Sequence, residues 1–108
     1  MNRASVVWVD LTDAVPPELG KRRPAVIVSS SLHNQVLESV VVVPLSSRAP
    51  EILPLRVKVR PSGLAVSSFA VVPGIRQVKK SRILGPAGTL SAAAMVTLDR
   101  AIADYLSD

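Results

Sequence analysis

Lysine and arginine gather at three places in this chain: Lys21-Arg22-Arg23, then Arg56, Lys58 and Arg60, then Arg76, Lys79, Lys80 and Arg82. Clustered cations suit a polyphosphate backbone, an acidic protein or an anionic surface. Any single cluster reads first as the solvated face of an ordinary element. Three of them on 108 residues, with 13 Lys+Arg against 8 Asp+Glu and a net charge of +5, favour nucleic acid. No helix-turn-helix or basic helix is visible, which disfavours readout of a duplex. Trp8 and Phe69 are expected in the core, which leaves no aromatic stacking platform. The expected ligand is the backbone of RNA or single-stranded DNA. The chain has no cysteine, which removes disulfides, thiolate zinc sites and cysteine nucleophiles together. The single histidine, His33, sits among Ser and Asn and reads as a solvated side chain. Neither a metal nor a cofactor is expected.

These cations need a scaffold, and the length allows one domain spanning residues 1–108. An apolar share of 48% supports a core, and a charged share of 19% is too low for a disordered tail. Val6 to Leu11 reads as a strand, with Trp8 and Asp10 alternating against Val7, Val9 and Leu11. Pro24 starts a second strand, Ala25 to Val28. Val40 to Val43 is a β-branched run suited to a central strand buried on both faces. Leu55 to Arg60 alternates, with Leu55, Val57 and Val59 opposite a cationic face, and Ser68 to Val72 and Ile75 to Val78 are short strands split by Pro73-Gly74. The loops are Thr12 to Arg23 and Ser46 to Pro54, the second carrying Arg48, Pro50 and Glu51. Helical period appears only after Ser91, an N-cap candidate, with Met95, Leu98, Ile102, Tyr105 and Leu106 on one stripe. The expected fold is mainly β: a small, SH3-like, bent or barrel-like antiparallel sheet with a C-terminal helix. The Val6–Val9 run is too short for a secretory segment, and no stretch reaches the roughly 18 apolar residues of a membrane helix. A cytoplasmic protein with no membrane association is expected.

Lys21-Arg22-Arg23-Pro24-Ala25-Val26-Ile27-Val28-Ser29 resembles the signature of the MazF/PemK (Kid) family, the ribonuclease toxins of toxin–antitoxin pairs. Val7-Trp8-Val9-Asp10-Leu11 resembles that family's first strand. Val42-Val43-Pro44-Leu45-Ser46-Ser47 resembles its third strand with the closing Thr/Ser pair. Ile75-Arg76 with Lys80-Ser81-Arg82 resembles its later Arg-containing segment, and Leu90 to Leu106 its closing helix. The resemblance implies a sequence-selective, metal-independent endoribonuclease acting on single-stranded RNA as a homodimer, restrained by an acidic antitoxin protein. It places the catalytic arginine at Arg23, the catalytic hydroxyl at Ser46 in place of threonine, and the loop glutamate at Glu18. Lys21, Arg22, Ser47, Arg48, Arg76 and Lys79 are then expected to hold RNA. Two departures stand out: Pro73 and Gly74 occupy the usual acidic and glutamine positions, and Ala4 and Ser5 replace the usual glycine and acid before the first strand.

The chemistry of these residue types agrees with that role. RNA breaks when its own 2′-hydroxyl attacks the adjacent phosphate in line, so a protein need only hold the geometry, neutralise the phosphorane and move protons. An arginine grips a phosphate bidentately, a hydroxyl donates to a non-bridging oxygen, and a carboxylate accepts the proton. Simpler readings stand beside these: an ion pair of Arg23 with Glu18 or Asp13, and a turn-capping role for Ser46. Two other functions also compete, a CcdB-like gyrase-binding toxin on the same fold and a degenerate toxin that binds RNA but cuts weakly.

Overall fold

Alternating and β-branched runs become strands in the computed structural model, which describes residues 1–48, 52, 54–64 and 67–108. Pro50 and Glu51 of the expected second loop lie outside the described residues. The strands are β1 (Ser5–Asp10), β2 (Arg22–Ile27), β3 (Ser39–Ser46), β4 (Arg56–Val59), β5 (Ser68–Val71), β6 (Arg76–Lys79) and β7 (Ile83–Thr89). They form one antiparallel sheet in the order β4-β5-β3-β2-β1-β7, with β6 also pairing β3. The β-branched run therefore lies at the centre, as expected, with β3 bonding β2, β5 and β6 along its length.

The sheet is bent but does not close into a barrel. Its ends approach at an isolated bridge, Ser62 to Thr89. That crossing is tight enough to require a glycine: a Cβ on Gly88, at φ +151°, would lie 1.7 Å from the Ser62 carbonyl oxygen. Register shifts in the β1–β7 ladder, between Val6 and Val7 and between Trp8 and Val9, mark irregularities of the kind that bend a strand.

Bending gives the sheet two cores. Val6, Val26, Val43, Leu45, Val57 and Val59 pack with Met95, Leu98 and Ala101 of helix α2 (Ala92–Tyr105). On the other side Val7, Val9, Leu11, Ala25, Ile27, Val40, Val42 and Val78 form the second. Ser91 caps α2, its side chain accepting a hydrogen bond from the Ala94 N–H at 3.1 Å. The expected helix stripe holds through Met95, Leu98 and the partly buried Ile102, and ends there. Tyr105 and Leu106 are exposed, the one the last residue of α2 and the other the residue after it. Leu55 is likewise exposed, since β4 begins at Arg56.

Trp8 departs further from expectation. It is 40% exposed, and Phe69 is half-buried outside both cores. Trp8 and Val6 share a strand face by alternation, but only Val6 belongs to the core built on α2. A six-residue helix, α1 (Ser31–Val36), also goes beyond the sequence reading. Its buried Asn34 donates to the carbonyls of Met1 and Ser29, at 3.2 and 3.1 Å, and accepts from the Ser29 hydroxyl at 2.6 Å. His33 is exposed, as read from sequence.

Candidate functional site

Arg23 lies on β2 opposite Val9 of β1, and Pro24 opposite Trp8. Pro24 holds the preceding residue in extended conformation, so Arg23 leaves the loop already in the strand. Its Nε donates to the Gly20 carbonyl at 2.7 Å and its Nη1 to the Leu45 carbonyl at 3.2 Å. The loop and β3 thus clamp the guanidinium from two sides. Among the described residues Arg23 makes no ion pair, so neither Glu18 nor Asp13 neutralises it. Partial burial lowers its pKa from the ordinary arginine value, yet a guanidinium stays protonated at neutral pH. A fixed, charged, half-buried donor with N–H groups to spare is an anion-binding group.

The groove beside it measures about 340 Å³ and is lined by Trp8, Lys21, Arg23, Pro24, Leu45, Ser46, Ser47, Arg48, Leu64 and Ser68. Ser46 ends β3 and is half-buried. Its Oγ accepts from the Arg48 N–H at 3.4 Å, a contact at the outer limit of a hydrogen bond, so turn-capping takes little of the hydroxyl. Lys21 sits at φ +71°, a left-handed conformation uncommon for a side-chain-bearing residue. Its carbonyl accepts from the Leu11 N–H at 2.9 Å and fastens the base of the loop. Strained residues of this kind concentrate at functional sites.

The structure therefore brings Lys21, Arg23, Ser46, Ser47 and Arg48 together and sets the other expected site residues apart. Arg22 is exposed, and its Nε stands 3.9 Å from an Asp10 carboxylate oxygen. Lys79 is exposed on β6 near Val36 and Glu38. Glu18 and Arg76 line a different cavity, about 670 Å³, walled by Leu19, Leu55, Val71, Ile75 and Tyr105. The Glu18 carboxylate accepts from the Val15 N–H at 2.8 Å and caps its own turn. Arg76 donates from both Nη atoms to Asp13, at 3.3 and 3.2 Å, and Arg82 reaches the same carboxylate at 2.8 Å. Hydrogen bonds from Arg76 and then Arg82 hold the Asp13 carboxyl down at about 2, below its ordinary 3.8.

Pro73 and Gly74 belong to a 3-10 turn, Val72–Gly74. A Cβ at Gly74 would approach the Pro44 ring to 2.6 Å, so this turn packs on β3 only without a side chain there. Among the described residues no three His, Cys, Asp or Glu side chains are grouped as metal ligands. The place of Trp8 in the groove and the pairing of Asp13 with Arg76 and Arg82 go beyond the sequence reading. For Trp8 the signal was present, since it alternates against the buried Val7 and Val9. For Asp13 none was, because its partners lie more than sixty residues away.

Known proteins resemble the chain throughout. The family model of the PemK-like, MazF-like toxin of type II toxin–antitoxin systems matches residues 2–106. The chain is 33% identical over 113 residues to Endoribonuclease MazF9 of Mycobacterium tuberculosis (strain ATCC 25618 / H37Rv), covering 98% of this chain and 96% of that protein. The crystal structure of MazF (Form-I) from Deinococcus radiodurans has the same fold with a TM-score of 0.85 and 25% identity, over 98% of this chain and 96% of that one. An endoribonuclease in complex with its cognate antitoxin, from a mycobacterial species, shares the fold at a TM-score of 0.81 and 24% identity, over 98% and 94% of the two chains.

Proposed function

The chain belongs to the PemK-like, MazF-like toxin family of type II toxin–antitoxin systems, and from that premise we propose that its Arg23 groove cleaves single-stranded RNA. The observation that carries this reading is the guanidinium of Arg23. Two backbone carbonyls hold it, no carboxylate among the described residues neutralises it, and it opens on a groove with a strand-end hydroxyl.

The substrate supplies the nucleophile. Its 2′-hydroxyl attacks the adjacent phosphorus, the bond to the 5′-oxygen breaks as that oxygen takes a proton from water, and the products end in a 2′,3′-cyclic phosphate and a 5′-hydroxyl. Arg23 grips the non-bridging oxygens and stabilises the charge that grows on them, and because its side chain is already anchored little reorganisation is needed. Ser46 donates a further hydrogen bond to the phosphorane. Lys21, Ser47 and Arg48 hold the flanking backbone, and Trp8 offers a ring face to a base. Glu18 accepts the 2′-hydroxyl proton after the 12–21 loop moves it from its resting turn toward the groove. Every step of this reaction uses groups of the RNA and of Arg23, Ser46 and Glu18, with water as the proton donor, so it calls for no metal-bound water or hydroxide.

The protein works in the cytoplasm as a homodimer in which basic segments of two copies meet. An acidic antitoxin segment silences it by covering the same cations. Among the described residues no helix is long and apolar enough to cross a membrane. Incubation of the pure protein with a long RNA and with its all-DNA copy, both in EDTA, tests the reading. RNA should be cut at a short recurring sequence and the DNA should survive; intact RNA, or cut DNA, defeats it.

A further inference from the structure

Two arginines from separate elements converge on one side chain of the β1–β2 loop. Arg76 of β6 reaches both oxygens of Asp13 in a forked pair, 3.3 Å to Oδ1 and 3.2 Å to Oδ2. Arg82, in the turn before β7, adds a third contact of 2.8 Å to Oδ2. One carboxylate held by two guanidiniums offers two oxygens and one negative charge, the face that a phosphodiester also presents. All three side chains keep solvent access, at 29% for Arg76, 30% for Arg82 and 44% for Asp13. Exposed ion pairs are individually weak, so a competing anion can take Asp13's place.

We propose that Arg76 and Arg82 form a second RNA-phosphate site, apart from the Arg23 groove, which the free protein keeps closed with its own Asp13 carboxylate. The proposal rests on the RNA-cleaving reading and adds to it an internal competitor and a coupled motion. Asp13 stands in the same loop as Glu18, and the intervening turn is tied by the Val15 N–H to the Glu18 carboxylate and by the Glu18 N–H to the Val15 carbonyl. Displacing Asp13 removes the loop's ion-pair anchor on Arg76 and Arg82. The Ala14 N–H to Leu11 carbonyl bond stays at its N-terminal end as the pivot, and the turn bearing Glu18 moves about it. RNA that reaches the two arginines therefore releases the segment carrying the proton acceptor.

The test uses a 2′-O-methyl RNA oligonucleotide, which binds but lacks the attacking hydroxyl, followed by fluorescence anisotropy at low salt. Asp13→Asn should tighten binding by roughly three- to thirtyfold, the competition that two exposed ion pairs can offer. In an Arg76→Gln/Arg82→Gln background the same change should have no effect. Unchanged or weaker binding by a folded Asp13→Asn variant overturns the proposal. So does tighter binding only of an acidic peptide, which would make the site one for protein. In the unaltered protein the Asp13 carboxyl ¹³C resonance should shift on saturation with this RNA; a resonance that stays in place refutes displacement even if the variants fail to fold. Cleavage of unmodified RNA is read separately. A protein that binds with this pattern and never cuts defeats the catalytic reading and leaves the anion site standing.

Discussion

Replacing Arg23 probes the site at its anchor. Arginine carries five N–H donors, and the Gly20 and Leu45 carbonyls take two of them. The remainder meets the phosphate, where loss of one preorganised donor costs about 2.7–4 kcal/mol. At about 1.36 kcal/mol per decade, Arg23→Ala should slow cleavage by roughly 10²–10³. The two carbonyls also lose a partner, worth about 0.5–1.5 kcal/mol for a typical hydrogen bond and less where water replaces it. The fold should therefore survive with a Tm a few degrees lower. Arg23→Lys keeps the charge but not the planar fork, and one ammonium cannot serve both carbonyls and two phosphate oxygens. Its rate should fall between parent and alanine. The assay is single-turnover cleavage of a labelled RNA at saturating protein, with a circular-dichroism melt of each variant. A folded Arg23→Ala protein that cuts within tenfold of the parent refutes the arginine-centred site.

Other substitutions divide the remaining roles. Ser46→Ala should cost less, roughly 10- to 100-fold, as one hydrogen bond to a charged group. Glu18→Gln should slow single-turnover cleavage by roughly 10²–10⁴ with RNA affinity nearly unchanged; parental rates would move the proton acceptor elsewhere. Trp8→Ala should weaken RNA binding by about 1–3 kcal/mol in anisotropy, while Trp8→Phe keeps most of it; equal affinities would deny the ring a base. Asp13 titrates near 2 in the folded protein against an ordinary 3.8, so its stabilising contribution is present above about pH 4 and lost as pH falls from about 4 to 2. The Tm gap between parent and Asp13→Asn should accordingly hold from pH 5 to 8 and close toward pH 2; a gap independent of pH would mean the ion pairs do not stabilise the fold.

Much of the scaffold was legible because its strands carry clean local signals. Valine alternation marked β1 and β4, Pro24 marked the start of the buried part of β2, and Ser91 marked α2. β7 was not legible, since Gly85, Pro86 and Gly88 all argue against a strand. It forms as the terminal strand of the sheet, beyond β1, where proline costs no ladder partner on the outer side. Trp8 was misplaced for a tertiary reason: alternation assigns a face but cannot say that α2 covers that face at Val6 and leaves it open at Trp8. The site divides the same way. Arg23 and Ser46 meet because β2 and β3 are adjacent, which the local pattern suggests. Glu18, Asp13 and Arg76 depend on how the loop between β1 and β2 lies across the fold, and no short-range pattern encodes that.

The account turns on RNA supplying its own nucleophile at a site built around Arg23, and the chemistry of the new ends reads this directly. The protein, treated with EDTA, is incubated with a defined RNA, and both fragments are analysed by mass spectrometry. A 2′,3′-cyclic phosphate on the upstream fragment and a 5′-hydroxyl on the downstream one are predicted, with both absent for Arg23→Ala. A 3′-hydroxyl paired with a 5′-phosphate, or activity that returns only when magnesium is added, would contradict it.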